Sequence, residues 1–186
     1  EPVAAGRVAA DISPGLARTA LAAEIDGNVR DLSAVIKNDC ALKFLTFDDA
    51  GGRLAFRHTA SHVLAQAVRR LYPEAKLAIG PAIDDGFYYD FDTPEPFTPD
   101  MLEALEAEMR KIVKENHALR RFTLPREKAI ELMREKDEPY KVELIEALPD
   151  DAEISFYEQG EFTDLCAGPH LASTGPIKAI KLLSAT

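Results

Sequence analysis

From Leu54 to Leu71 the apolar positions recur at helical spacing. At 100° per residue Phe56, Ala60, Val63, Leu64, Ala67, Val68 and Leu71 fall in one stripe about 140° wide, and Tyr72-Pro73 ends the helix. A second amphipathic helix opens at Thr98-Pro99-Asp100, an N-cap with proline at the first helical position. It runs to about Asn116, with Met101, Leu102, Leu105, Met109, Ile112 and Val113 inward. Between the two helices "KLAIGPAIDDGFYYDF" reads as two strand-like runs around Asp84-Asp85-Gly86, a hairpin pattern. "ALRRFTL" is a strand, "PREKAIELMREK" and "PYKVELIEAL" are helices, the latter opened by Pro139, and "EISFYEQ", "FTDL" and "IKAIKLL" are short strands.

Ahead of these lies a smaller unit. "GLARTALAAEI" reads as a helix ending at Asp26-Gly27, "DLSAVI" as a second short helical piece, and "ALKFLTF" as a strand of buried type. Asp48-Asp49-Ala50-Gly51-Gly52 breaks the pattern, which places a domain boundary there and divides the chain into residues 1–50 and 51–186. The mixed order of elements fits α+β better than βαβ winding.

Composition narrows the class. With 22 Lys+Arg against 32 Asp+Glu the formal charge is −10, and 46% of the 186 residues are apolar. Such a chain is too apolar to be disordered, and no apolar run approaches the roughly 20 residues of a membrane span. The acidic balance argues against affinity built by blanketing phosphates, while leaving room for a local RNA contact. Cys40 and Cys166 lie far apart with no signal-peptide pattern ahead of them, which favours a reducing cytoplasm over a disulfide scaffold. A start at Glu1 without an initiator Met suggests a fragment.

Three of the four histidines sit in two compact motifs, His58-x-x-x-His62 and Asp164-Leu165-Cys166-Ala167-Gly168-Pro169-His170. On the helical wheel His58 and His62 lie opposite the apolar stripe, so alone they read as a solvated face. A second cluster with Asp, Cys and His in a Gly-Pro turn points instead to a shared site. Three chemistries suit it. His58, His62, Cys166 and His170 are the ligand types of a tetrahedral zinc site; Cys166 could be a nucleophile with a histidine base; or the group could bind a polar substrate and position water without metal. Spacing alone favours zinc. His117, Tyr88 and Tyr140 read as surface or packing residues. The basic stretch Arg110, Lys111, Lys114, Arg120, Arg121, Arg126 and Lys128 reads as a solvated, internally paired face, with Glu106 four residues before Arg110.

"RHTASHVLAQAVRRLYPEAKLAIGPAIDDGFYYDF", "EPYKVELI" and "FTDLCAGPH" resemble, in order and spacing, the amino-terminal editing region of bacterial threonyl-tRNA synthetases. "ISPGLARTALAAEIDGNVRDLSAVIKNDCALKFLT" is similar to the last two-thirds of the ubiquitin-like TGS domain of the same enzymes. The resemblance implies a truncated β-grasp module followed by an editing domain, with the His58–His62 helix packed on a mostly antiparallel sheet. It implies hydrolysis of the ester of seryl-tRNA(Thr), with the acceptor end of tRNA(Thr) and the rest of the synthetase as partners. It assigns His62, Tyr89, Asp164, Cys166 and His170 to the substrate pocket, Asp164 holding the ammonium. His58 matches the same pocket and Lys141 is assigned to the attacking water; the two are expected to be the catalytic residues, with His58 orienting the terminal ribose as a hypothesis of its own. Lys141 also follows Pro139 in a helical first turn, where the dipole disfavours an ammonium and eases proton acceptance.

On metal, spacing and resemblance diverge. Alanyl-type relatives bind zinc at the corresponding set, whereas threonyl-type domains work with ordered water, and the expectation here is no metal cofactor. No signature for adenylate formation is present, so this stretch alone is not expected to aminoacylate. A non-catalytic RNA-binding or interaction module with structural histidines is the rival, and a free-standing trans-editing zinc hydrolase is the third reading.

Overall fold

The computed structural model describes residues 1–186. In the first unit β1 (Val3–Ala4) leads into α1 (Ala5–Ile12) and α2 (Pro14–Thr19), followed by β2 (Ala22–Ile25), β3 (Asn28–Arg30), β4 (Val35–Ile36) and β5 (Leu42–Leu45). Strand β2 is central in an antiparallel β3-β2-β5 sheet, and β1 pairs with β4. The helix expected through Ile25 therefore ends at Thr19. Asp26 and Gly27, read as its stop, form a two-residue hairpin turn with φ of 48° and 79°, and Ile25 faces Asn28 across it. Ala22 and Ala23 are fully buried in the sheet, so tertiary packing overrides alanine's helix preference. "DLSAVI" is likewise not helical: Ala5 N–H donates to Ala34 O (2.9 Å), drawing this stretch into pairing with β1.

The second unit contains α3 (Ala50–Leu71), β6 (Lys76–Leu77), β7 (Ala82–Ile83), β8 (Gly86–Phe87), β9 (Phe91–Asp92), α4 (Pro99–Glu115), β10 (Leu119–Thr123), α5 (Arg126–Glu135), α6 (Pro139–Ala147), β11 (Ser155–Gln159) and β12 (Phe162–Leu165). All pairings are antiparallel, with β11 between β10 and β12, β6 against β9, and β7 against β8 across Asp84-Asp85. Helix α4 starts and stops as its sequence indicates, with Pro99 after the Thr98 cap and Asn116 left-handed at its end. "IKAIKLL" forms no strand. Instead the Glu106 carboxylate accepts Leu182 N–H (2.9 Å) and pairs with Lys181 (2.9 Å), which fastens the segment to α4.

Helix α3 organises the molecule. Every residue from Thr59 to Val68 is buried. Leu105, Met109 and Ile112 belong to the same core, while Gln66 meets Gln159 of β11 at 2.9 Å and the His62 ring meets Phe162 of β12 edge-on. The face opposite the apolar stripe, which carries His58 and His62, is thus covered by sheet, whereas Leu71, expected in the core stripe, is 38% exposed at the helix end. The principal core runs from Ala22 and Leu45 through α3 and α4 to Ile177, so it crosses from the first unit into the second. A smaller core of Ala129, Met133, Ile145, Ile154 and Phe156 joins α5, α6 and β11.

Helix α3 also begins four residues before Leu54, taking in the glycines that read as a break. A Cβ on Gly52 would lie 1.9 Å from the Thr46 carbonyl oxygen, so glycine is what lets the first turn press against the end of β5. Gly52→Ala is expected to lower stability by about 1–3 kcal/mol, as overpacking does. Urea unfolding checks this, and a wild-type midpoint would show that the contact is readily relieved.

Candidate active site

The residues assigned to the site from the sequence form, together with Thr59, one continuous chain of contacts. His58, Thr59 and His62 come from the middle of α3; Tyr89 lies between β8 and β9; Lys141 is in the first turn of α6; Asp164 is on β12; and Cys166 and His170 are on the loop that follows. Lys141 reaches the site because α6 starts at Pro139 and Ile145 anchors the helix in the smaller core.

At one end stands a buried ion pair. Lys141 Nζ lies 2.9 Å from Asp164 Oδ1 and donates to Tyr89 Oη at 3.1 Å, while Tyr89 O–H donates to Asp164 Oδ2 at 2.5 Å. The Lys141 and Asp164 side chains are 4% and 2% exposed. Burial alone would raise the Asp164 carboxyl, but the charge of Lys141, the proximity of His62 and the Tyr89 hydrogen bond hold it below the usual carboxylate range. Burial and the Asp164 carboxylate push the Tyr89 phenol well up, keeping it a donor.

His62 links this pair to the thiol end. Its Nε2 is 3.7 Å from Asp164 Oδ2, and its ring stands 4.3 Å from that of His170. Cys166 Sγ lies 3.2 Å from His58 Nε2 and 3.1 Å from His170 Nε2. The tautomers follow from the outer partners. His58 Nδ1 faces the Pro169 carbonyl (3.2 Å), which can only accept, so Nδ1 carries the proton. Thr59 gives its own proton to Ala55 O (2.9 Å), so its oxygen accepts from His170 Nδ1 (3.0 Å) and from Leu171 N–H (2.9 Å). Burial lowers the basicity of all three histidines, that of His62 to a pKa of about 3, and pushes the Cys166 thiol up to about 12.

Two imidazole lone pairs therefore converge on a sulfur that has one proton to share, and His62 Nδ1 is buried without a partner. The donor atoms of His58, His62, Cys166 and His170 all lie within 4.8 Å of one another, close enough to hold a metal ion. Outer hydrogen bonds that fix the ring tautomers are what metal-binding histidines use, so this set fits zinc by chemistry as well as by spacing.

The remaining candidates lie outside the cluster. Tyr88 is 43% exposed, Tyr140 donates to Asp92 (2.8 Å), and His117 pairs with Glu115 (2.5 Å). The basic stretch is largely paired, Arg110 with Glu106 and Arg120 with Glu158, while Arg126 caps α6 through Leu148 O and Pro149 O. Sequence reasoning missed Thr59, which lies between the two α3 histidines and was a visible polar residue inside that motif. It also missed Asp31, whose carboxylate touches His170 N–H and which no local signal marks.

Residues 5–46 match the TGS domain, and residues 154–186 match the threonyl and alanyl tRNA synthetase second additional domain. A threonine–tRNA ligase of Acetivibrio thermocellus is 63% identical over 184 residues, 99% of this chain and 29% of that protein. One from Clostridium botulinum is 64% identical over 177 residues, 95% of this chain and 28% of that protein. The chain belongs to the threonyl-tRNA synthetase family. It spans between a quarter and a third of the length of these relatives. The α+β reading and the TGS-like unit followed by a second additional domain stand on these matches. No helix is long and apolar enough to cross a membrane.

Thr59→Val keeps the volume but removes the acceptor of two buried donors, each worth about 1–3 kcal/mol when orphaned. Chemical denaturation is expected to show that loss, with Thr59→Ser near wild type; equal stability of Val and Ser variants would show that the hydroxyl holds neither His170 nor Leu171.

Proposed function

We propose that this chain is a proofreading module, divided at residue 50, that hydrolyses the ester of seryl-tRNA(Thr) and spares threonyl-tRNA(Thr) in the cytoplasm. The observation that carries the reading is the buried Lys141–Asp164–Tyr89 cluster joined through His62 to a thiol and two neutral imidazoles. Serine is one methyl smaller than threonine, so a synthetic pocket that accepts threonine rejects serine by only about 1–3 kcal/mol. A second site too tight for that methyl separates the two products.

Of the site residues, His58 is left partly exposed, and we take it as the entrance. His58 orients the terminal ribose there. His62, Cys166, His170 and Tyr89 wall the amino-acid pocket, and Asp164 receives the α-ammonium. That ammonium must share a carboxylate that Lys141 already occupies. Lys141, as the free amine, accepts the proton of the attacking water as the water oxygen bonds to the ester carbonyl carbon, and passes it to the ribose oxygen as the ester C–O bond breaks. An aminoacyl ester is already activated, so a positioned water with one base suffices.

The second reading is zinc held by His58, His62, Cys166 and His170, favoured by the surplus of lone pairs at Cys166 and the orphaned His62 Nδ1. A bound zinc would polarise the ester carbonyl. Elemental analysis of protein purified without chelator separates the two: the water reading expects well under one zinc per chain and activity indifferent to chelator. Stoichiometric zinc, with activity lost to chelator and regained with zinc, would install the metal.

Deacylation of the two charged tRNAs is the main test, with loss of serine only as the expected result. Equal rates, or none above buffer, would leave the rival reading of a non-catalytic RNA-binding module. Lys141→Ala is expected to reduce the rate by about 10²–10⁴-fold while leaving binding of a non-hydrolysable seryl-adenosine analogue nearly intact. His58→Ala should weaken both, because it removes a contact made in ground and transition states alike. Thermal melts come first, since Lys141→Ala also strips Asp164 of its buried partner.

A further inference from the structure

We infer that Asp31, in the first unit, is a positioning residue for the site in the second, strapping the Cys166–His170 loop in place through His170 and Tyr157. This rests on the reading of the site as a deacylase. Asp31 follows β3 and stands 139 positions from His170, yet its Oδ1 accepts His170 N–H at 2.7 Å and its Oδ2 accepts Tyr157 O–H at 2.6 Å. Both bonds are charge-assisted, the stronger kind.

The loop is pinned at both ends, and its middle is held by few main-chain bonds. Cys166 is pinned to Ser155 by its N–H (3.0 Å) and its carbonyl (2.7 Å), and Leu171 N–H is pinned to Thr59. Between them, the main chain at Gly168 reaches Cys166 Sγ (3.3 Å), the Pro169 carbonyl accepts from His58 Nδ1 (3.2 Å), and His170 N–H reaches only Asp31. Tyr157 supplies the bed on which this middle lies. Its hydroxyl sits 2.2 Å from where a Cβ of Gly168 would be, its ring is 4.3 Å from the His170 imidazole, and it faces Asp164 across the β11–β12 ladder. Behind the loop opens a cleft of about 320 Å³, lined by Asp31, Arg121, Tyr157, Ala167, Gly168 and Pro169, so a loop released from Asp31 has room to fall back.

The strap is itself anchored. Ala34 N–H returns to Asp31 O (3.0 Å), and Gly6 N–H at the start of α1 donates to Leu32 O (2.7 Å), which fixes the Asp31 turn to the first helix. The first unit therefore does more than precede the site: one of its carboxylates sets the main-chain position of His170, whose ring lies against His62 and Cys166.

The test uses the whole 186-residue chain, with seryl-tRNA(Thr) deacylation and hydrogen exchange at the His170 amide as separate readouts. Asp31→Ala is expected to speed exchange at that amide at least about tenfold and to reduce kcat about 10–100-fold with KM nearly unchanged, as a misplacement of around 1 Å does. Asp31→Asn should recover most of both, because its Oδ1 still accepts the amide proton. Asp31→Ala with wild-type kcat, whatever its exchange, overturns the positioning role, as does a kcat loss that Asp31→Asn fails to restore. If the wild-type chain does not deacylate seryl-tRNA(Thr), the deacylase reading fails by itself; unchanged exchange in Asp31→Ala then overturns the strap, and faster exchange upholds it. Should Asp31→Ala not fold, Tyr157→Phe carries the test: slower deacylation with faster loop exchange supports the strap, and wild-type behaviour overturns it.

Discussion

A carboxylate at 2% exposure keeps its charge only if something equally buried answers it, and in this chain Lys141 does so for Asp164 at 2.9 Å. Much of the surrounding architecture serves that meeting. Lys141 is brought in by the first turn of α6, whose placement depends on the small core shared with α5 and β11. Glu138, just ahead of that helix, is itself buried and accepts Leu77 N–H at 2.8 Å while facing Arg69 at 3.5 Å, tying α6 to β6 and α3. Breaking a buried pair of this kind costs about 3–5 kcal/mol, a large share of the roughly 5–15 kcal/mol that stabilises a domain. Well-packed apolar groups of the same volume would stabilise as well, so the use of the pair lies in the charge it keeps inside.

The other constraint is that α3 is buried on two sides. A helix with neighbours on both faces needs small residues where they press on it, and Gly52, Ala55, Ala60 and Ala67 are among its buried residues. That burial is also what makes the histidines neutral. With water excluded, the imidazolium is disfavoured at His58, His62 and His170 alike, leaving lone pairs where solvated histidines would carry exchangeable protons. Packing and site chemistry thus have one physical origin.

How much of this could be read beforehand depended on whether the signal was local. Helices α3 to α6 and the Asp84-Asp85 hairpin were legible because long amphipathic periods, Pro99, Pro139 and the Thr98 cap act within a few residues. The first unit was misread where an alanine-rich stretch with helical preference is held as a buried strand by β3 and β5, and where Asp26-Gly27 turns a hairpin rather than ending a helix. At the site, His58, His62, Cys166 and His170 were singled out by type and spacing, Tyr89 through resemblance alone, and Lys141 through resemblance together with its place after Pro139. The partners that fix them were not. Thr59 meets His170 across 111 positions, and Asp31 meets Tyr157 across 126, so nothing in either neighbourhood of the sequence marks the contact. The helix-dipole argument for Lys141 placed the residue in its turn but could not foresee that a carboxylate would stand opposite.

On the proposed reading, rigidity and discrimination become the same requirement. A pocket that prefers the larger amino acid gains only the transfer energy of a methyl, about 1–3 kcal/mol. One that must refuse it works by overlap, and overlap discriminates only if the walls do not yield. Here the walls are rings with centroids 4.1 and 4.3 Å apart, held from outside by hydrogen bonds to Thr59, Pro169 and Asp31. A loop free to retreat into the cleft behind it would admit the β-methyl at little cost. On that reading the contacts remote from the reacting ester carry the selectivity against threonine, while the ion pair supplies the charge that moves the proton.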